Sequence, residues 1–208
     1  MSKQNKNISD LLKNLSDEAF GKFNFFIISF STSNYLSHKS KHLLISDFYL
    51  QREIPQIENS PESPLEFYRN WISFNRPLII RNAINHWPAK QKWQNNQYLL
   101  QKCDPKKIVK VSVTPNGYAD AIDTDGNFVM PHEENMTFEE FIHIIENPSD
   151  SNGAVHYIQR QNSNLSQEMP ELMDDIKELE WAKEAFGKEP DAVNFWMGDQ
   201  RAVTSSQY

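Results

Sequence analysis

The stretch KIVKVSVTPNGYADAIDTDGNFVM, residues 107–130, decides the fold class of this 208-residue chain. From Lys107 to Val113 polar and apolar residues alternate in the manner of a β-strand. Pro115-Asn116-Gly117 and Asp125-Gly126 are turn signals between β-prone runs, so residues 109–130 predict short strands joined by tight turns.

Helices and further strands are predicted on both sides of this stretch. Thr137 followed by Glu140 forms a capping-box signature, and a helical apolar face follows until Pro148. Ser63, with Pro64 after it, marks another helix start. Other helices are predicted at 93–100 and 171–186, and other strands at 76–81, 154–159 and 191–197. Strands and helices do not alternate regularly, which indicates an α+β fold.

Composition and charge narrow the class of partner. Lys and Arg total 21 against 28 Asp and Glu, giving a net charge of −7 and a pI near 5.4, which argues against nucleic acid or an anionic membrane as the partner. Cys103 is the only cysteine, which excludes a disulfide scaffold and a thiolate metal cluster and favours a reducing compartment. We therefore expect a cytoplasmic protein, with the nucleus as an alternative, and no membrane span.

Two N-terminal segments differ from the rest of the chain. Residues 1–18 have apolar positions at near-helical spacing and predict an amphipathic helix. Residues 19–46 contain no Asp or Glu and are rich in Ser and Phe, so we interpret them as an insertion or a disordered segment. An interaction loop is the alternative, because exposed apolar patches often mark binding surfaces. Residues 47–208 then form the main domain.

One group of residues has the pattern of an iron site. His132 and Glu134 lie two residues apart, on one side of a strand, and His143 or His156 could complete two histidines and a carboxylate. A short His-x-Glu pattern is common by chance, so the more ordinary interpretation is an exposed polar strand or loop. Cys103 has no evident partner for a nucleophilic role.

Four blocks, in order along residues 64–205, resemble the cupin-like jumonji-C family. They are RPLIIRNA with HWPA (76–89), VTPNGYAD (113–120), YIQ with NSNL (157–165), and PDAVNFWMG followed by AVTS (190–205). The resemblance implies a double-stranded β-helix, or jelly roll, with surrounding helices, of which residues 47–208 would be the N-terminal part, an incomplete barrel. It further implies a protein hydroxylase of the lysyl hydroxylase type, dependent on Fe(II) and 2-oxoglutarate, to which a peptidase activity is also ascribed.

The same resemblance assigns the site residues. Tyr157 and Thr204 match hydroxyl groups that hydrogen-bond the far carboxylate of 2-oxoglutarate; a core tyrosine and a strand threonine are the structural alternative. The family's metal-binding His-x-Asp begins three residues after Thr204, where this chain has Gln207, and a distal His is absent. We therefore expect no iron site here and no activity from this chain alone.

The alternative is a non-enzymatic, truncated isoform or gene-model fragment that acts as a protein-binding module. Uncovered strand edges would then favour self-association. Within 193–196, Asn194 and Trp196 alternate with Val193 and Phe195, so one pair faces the barrel interior and the other the helices. We interpret Trp196 as a core residue. For the family, the expected partner is a protein that presents a lysyl side chain.

Overall fold

A computed structural model describes residues 24–29, 54–61, 63–74, 76–118, 121–122, 125–160 and 163–203. The predicted helix at 1–18 lies outside these residues, as does most of the 19–46 segment. Its residues 24–29 form a strand, and the interpretation of 19–46 as an insertion stays a prediction. The chain divides into two compact units, of which the larger contains Trp87–Ile176 and the smaller contains residues 54–86 with 177–192.

The strands are short and lie largely where turn signals bound apolar runs. They are β1 (Asn24–Ser29), β2 (Gln56–Ile57), β3 (Ile79–Ile80), β4 (Ile108–Thr114), β5 (Ala121–Ile122), β6 (Phe128–Val129), β7 (His132–Thr137), β8 (Val155–Gln159) and β9 (Ala192–Gly198).

The helices are also short, and several begin at a side chain that accepts a backbone N–H. They are α1 (Pro64–Phe67), α2 (Ala89–Lys92), α3 (Asn96–Lys102), α4 (Phe138–Glu146), α5 (Asn164–Glu168) and α6 (Glu180–Phe186). A π-helical turn follows α1 at Tyr68–Ile72, and 3-10 turns occupy Pro148–Ser151 and Pro170–Asp175.

A five-stranded sheet in the order β1-β9-β8-β4-β7 is the centre of the fold. Strand β4 runs antiparallel to both β7 and β8, and β8 runs antiparallel to β9. Among the described residues this sheet does not close into a barrel. The predicted α+β class is confirmed, and an open antiparallel sheet is consistent with part of a jelly roll.

One face of this sheet carries the apolar core of the larger unit. Opposed residues of an antiparallel pair point to the same face, so Val111, Ile158 and Phe195 share one side with their neighbours in register. All three side chains are buried. The Trp93 ring packs edge-on against Phe195, with ring centroids 5.5 Å apart. Each such side chain contributes about 1.5–3 kcal/mol by leaving water.

Helix α4 covers part of the same core and confirms its sequence signature. The Thr137 hydroxyl accepts the Glu140 N–H at 3.2 Å, and the Glu140 carboxylate accepts the Thr137 N–H at 2.8 Å, which completes the capping box. The side chains buried on its inner side are Phe138, Phe141, Ile142 and Ile145. Pro148 begins the next turn, as expected.

The prediction of one helix over 171–186 is wrong. Residues Pro170–Asp175 form a 3-10 turn, and Ile176 is extended before α6 begins at Glu180. Asp175 is the reason, because its carboxylate is turned inward and accepts hydrogen bonds from Lys92, Trp93 and Tyr98. These long-range bonds outweigh the local helical preference.

The smaller unit has its own contacts. Strands β2 and β3 pair in parallel, with Gln56 opposite Ile79. Helix α1 packs against α6, where the Phe67 and Trp181 rings meet edge to face with centroids 5.0 Å apart. Ser63 caps α1 by accepting the Glu66 N–H at 3.4 Å, as the sequence predicts.

Candidate functional site

The second face of the central sheet is polar yet largely buried. In register, Ser112 lies opposite Tyr157, and Gln159 lies opposite Trp196, so these side chains share the face that points away from the Phe195 core. We call this the polar face. Its members are Ser112, Thr114, Tyr157, Gln159, Asn194 and Trp196.

Tyr157 occupies the middle of the polar face. It lies on β8 between Ser112 of β4 and Gly198 of β9, and it is only 4% exposed. A Cβ added to Gly198 would lie 2.7 Å from the Tyr157 Cβ, closer than such atoms approach in proteins. A Gly198 Cβ would also lie 3.1 Å from the Ala202 Cβ, so β9 approaches β8 too closely here for any side chain at position 198.

Two buried polar side chains of the same face, Trp196 and Gln159, differ in their hydrogen bonding. The Trp196 indole N–H donates to the Arg160 carbonyl at 2.8 Å, and Trp196 is buried, as expected for a core residue. The Gln159 Oε1 is buried and accepts no hydrogen bond from the described residues. A buried amide in this state is a polar group that a ligand or water can satisfy. Sequence reasoning missed Gln159, although its two-residue spacing from Tyr157 places both on one face of the strand.

The end of β9 leads directly to the second predicted site residue. Residues 199–203 turn back so that the Val203 N–H donates to the Gly117 carbonyl at 2.7 Å, and Tyr118 and Val203 form an isolated parallel bridge. Thr204 follows Val203 but lies outside the described residues, as does Gln207. The pairing of Tyr157 with Thr204 in one site stays a prediction.

The predicted iron candidates are not brought together. His132 and Glu134 are neighbours on β7, with Nε2 and Oε1 3.6 Å apart, but they are 74% and 47% exposed. His156 is buried on β8, separated from His132 by the Val113 position of β4. His143 lies on α4. Within the described ranges, no three His, Cys, Asp or Glu side chains are grouped closely enough to hold a metal ion.

The polar face and the metal candidates therefore differ in the groups that they offer to a ligand. Tyr157 and Gln159 place a hydroxyl and an amide on one buried face, and both groups can hydrogen-bond a polar ligand. The described residues do not bring together the two histidines and one carboxylate that would hold iron.

The remaining sequence candidate, Cys103, is buried at the end of α3. Burial raises the pKa of its thiol to about 11, so the thiolate is scarce at neutral pH. A buried thiol that stays protonated gives no support to a nucleophilic role for Cys103. None of the helices seen in the described part of the chain has the length and apolar character to cross a bilayer.

Comparison with known proteins identifies the family to which this chain belongs. The profile of the cupin-like domain matches residues 64–208. The chain is 44% identical over 153 residues to the bifunctional peptidase and (3S)-lysyl hydroxylase JMJD7 of Homo sapiens, covering 73% of this chain and 47% of that protein.

Two further relatives match a similar region. The lysine-specific demethylase JMJ32 of Arabidopsis thaliana is 36% identical over 164 residues, covering 77% of this chain and 47% of the relative. The JmjC domain-containing protein E of Dictyostelium discoideum is 36% identical over 171 residues, covering 76% and 47%. The chain thus spans about half the length of the curated relatives it matches.

Proposed function

This chain belongs to the cupin-like domain family, and from that membership we propose that it forms the part of a 2-oxoglutarate-dependent protein hydroxylase that binds the far carboxylate of the cosubstrate. The observation that carries the proposal is the buried Tyr157 on a polar sheet face, close in sequence to the Gln159 amide oxygen, which is buried and accepts no hydrogen bond from the described residues. The Tyr157 hydroxyl would donate to the carboxylate, and the Thr204 hydroxyl would donate from the chain that leaves β9.

The substrate side of the proposal rests on the relatives' names. A (3S)-lysyl hydroxylase and a lysine-specific demethylase both act on a lysine side chain, although their reactions differ. We propose that a lysyl side chain of a protein is the substrate of the whole protein. Hydroxylation is favoured over demethylation because identity to the hydroxylase is higher, 44% against 36%.

Catalysis needs iron ligands as well as the cosubstrate. In this family, iron would activate O2, and the oxidative decarboxylation of 2-oxoglutarate to succinate and CO2 would leave one oxygen atom for hydroxylation of the substrate. Gln207 stands where the family pattern has a histidine, and an amide is a much weaker iron ligand than an imidazole. We propose that residues 1–208 alone do not turn over 2-oxoglutarate, and that Tyr157 and Thr204 contribute only to its binding.

Calorimetric titration with 2-oxoglutarate tests the binding proposal. Tyr157→Phe removes one hydroxyl and should weaken binding roughly 10- to 150-fold, because a hydrogen bond to a charged group contributes about 1.5–3 kcal/mol. Tyr68→Phe is the matched control, since Tyr68 is exposed on the smaller unit. Equal affinity of Tyr157→Phe and the wild-type chain would overturn the assignment. Succinate formation from 2-oxoglutarate with added Fe(II) would overturn the proposed inactivity.

A second candidate function is a protein-binding module that associates with itself. The observation that favours it is the position of β7 at one end of the sheet order, with His132–Asn135 exposed along it. Just before it, Phe128 and Met130 are exposed apolar side chains. An exposed strand edge next to apolar side chains can pair with another chain.

Sedimentation velocity distinguishes this candidate. We expect a concentration-dependent dimer that Met130→Ser weakens, while Phe74→Ser, at an exposed position of the smaller unit, leaves it unchanged. If the chain is still monomeric at about 100 μM, roughly a hundred times a dissociation constant of ~1 μM, the self-association proposal is wrong.

A further inference from the structure

A cleft lies where the end of helix α4, the 3-10 turn after it and the turn after β9 meet, all within the larger unit. Its volume is 410 Å³, and ligand pockets in proteins usually occupy about 300–1,000 Å³. Ile145, which lines it, is buried on the inner side of α4, the side that covers the apolar core. None of the polar-face residues lines the cleft, so it is a separate feature of the surface.

Arg201 forms a fixed wall of the cleft. Its Nη2 donates to Asp199 Oδ2 at 2.7 Å and to the Ala154 carbonyl at 3.1 Å, and its Nη1 donates to the Gly153 carbonyl at 3.2 Å. The Asp199 side chain is only 3% exposed and lies against the guanidinium, so the two opposite charges largely cancel. This wall is rigid and offers a ligand little net charge.

Glu146 supplies the uncompensated charge of the cleft. It is exposed and is the last residue of α4. Asn96 donates its side-chain N–H to one oxygen of the Glu146 carboxylate at 2.8 Å, whereas no described residue donates to the other oxygen. The end of α4 adds a partial negative charge, because aligned peptide dipoles sum along a helix. The charged lining residues, Glu146, Asp199 and Arg201, thus leave a net charge of −1.

The uncharged lining residues fit the stem of a long side chain. Ile145 and Pro148 provide apolar walls, and Gln200 is exposed with a side-chain amide that makes no hydrogen bond to the described residues. A lysine or arginine side chain combines an aliphatic stem with a terminal cation. The stem would lie on Pro148 while the cation reaches the free oxygen of Glu146 and the Gln200 amide oxygen. An anion would instead meet Glu146 and the negative end of α4.

We propose that this cleft is a docking site for a lysine or arginine side chain on the surface of a partner protein. The inference goes beyond the proposed function, because the site involves neither the cosubstrate nor the polar face. The net charge of −7 on the chain supports the same class of partner, since it attracts a basic surface at long range. The role of the cleft is to hold the partner, and no covalent bond is made or broken there.

The test is an NMR titration of the ¹⁵N-labelled 208-residue chain with three short peptides. The first is acetyl-Gly-Lys-Gly-amide. The second carries norleucine in place of lysine, which keeps the stem without the charge, and the third carries glutamate. Two quantities are measured: the shifts of the backbone amide signals of Ser149, Gln200 and Arg201, and the dissociation constant of each peptide.

Three variants separate the cleft from a general effect of charge. Glu146→Gln removes the charge but keeps an oxygen that accepts the Asn96 N–H, so the fold should be retained. Glu139→Gln is the matched control, since it makes the same change at an exposed position in the first turn of the same helix. Gln200→Glu adds a carboxylate to the cleft.

We expect the lysine peptide to shift all three amide signals, and the norleucine peptide to bind at least about fivefold more weakly. Glu146→Gln should weaken binding of the lysine peptide about two- to fivefold, the strength of an exposed ion pair. Gln200→Glu should strengthen it by a similar factor, and Glu139→Gln should leave it unchanged.

Four outcomes would overturn the inference. The first is a lysine peptide that leaves the Ser149, Gln200 and Arg201 signals unshifted. The second is equal affinity for the norleucine and lysine peptides, which shows that the charge is not recognised. Tighter binding of the glutamate peptide assigns the cleft to anions, and an equal effect of Glu139→Gln and Glu146→Gln shows general electrostatic attraction. None of these measurements involves 2-oxoglutarate, so each result leaves the proposed function standing.

Discussion

Replacing Asp175 with asparagine removes a negative charge from the interior of the larger unit without changing the size of the side chain. The wild-type side chain is 1% exposed, and its carboxylate accepts bonds from Tyr98 at 2.6 Å, Lys92 at 2.9 Å and Trp93 at 3.1 Å. Burial alone would raise the pKa of Asp175, but the bonds from Tyr98, Lys92 and Trp93 outweigh it and hold the pKa below its ordinary value. Asp175 is therefore ionised in the folded chain at neutral pH.

The expected loss of stability is the sum of three contributions. The amide weakens the charge-assisted bonds to Tyr98 and Trp93, each by about 1 kcal/mol, since bonds to charged groups contribute about twice as much as neutral ones. Its NH₂ group also faces the Lys92 ammonium, but the Lys92 side chain is 47% exposed and can turn to water, so this contribution is below about 1 kcal/mol. Asp175→Asn should lower the free energy of unfolding by about 2–3 kcal/mol.

Urea unfolding at pH 7 measures this loss, with Asp174→Asn as the matched control. The Asp174 side chain is 84% exposed and pairs with Lys102 at 3.3 Å, so its substitution should cost less than about 0.5 kcal/mol. The two variants make the same chemical change at adjacent positions. If their free energies of unfolding agree within about 0.5 kcal/mol, the inward-facing network does not stabilise the unit and its account given above is wrong.

Three other predictions concern pH, a helix cap and the polar face. Ionised Asp175 stabilises the fold fully above its unfolded pKa of about 3.9, and this stabilisation is lost as the pH falls through the lowered pKa of the folded chain. In urea unfolding between about pH 5 and pH 2, the free energy of unfolding of Asp175→Asn should therefore fall less than that of the wild-type chain. Thr137→Ala should cost about 1 kcal/mol in thermal unfolding, because it removes the hydroxyl that accepts the Glu140 N–H; Thr137→Ser should recover most of it. Gly198→Ala should lower 2-oxoglutarate affinity and stability together, whereas an unchanged melting temperature would show that β8 and β9 have room for a methyl group.

Local patterns predicted those parts of the fold in which neighbouring residues supply the interactions. The capping box at Thr137 and the apolar face of α4 are complete within nine residues, so their outcome follows from the sequence. Residues 171–186 are different, because the partners of Asp175 come from α2 and α3, about eighty positions earlier. No local pattern contains that information.

In the candidate site, too, local patterns predicted some features and missed those that depend on distant residues. Strand alternation placed Trp196 and Phe195 on opposite faces, and the resemblance selected Tyr157. The Arg201 bonds to the Gly153 and Ala154 carbonyls could not be predicted, because every residue has a backbone carbonyl and the amino-acid sequence does not show which one accepts a hydrogen bond. From the sequence alone, Asp199 and Arg201 would therefore be interpreted as ordinary surface charges.

Strand β8 pairs with a neighbour on both sides, so the number of residues in it determines which of its side chains face the core. Its neighbours β4 and β9 fix where each residue lies, so substitutions change one side chain at a time. Deleting or inserting a single residue between Val155 and Gln159 would instead exchange the two faces of the following part of the strand, so that residues of the polar face would point into the apolar core. A single-residue insertion or deletion in this segment is therefore expected to be far more damaging than a point substitution.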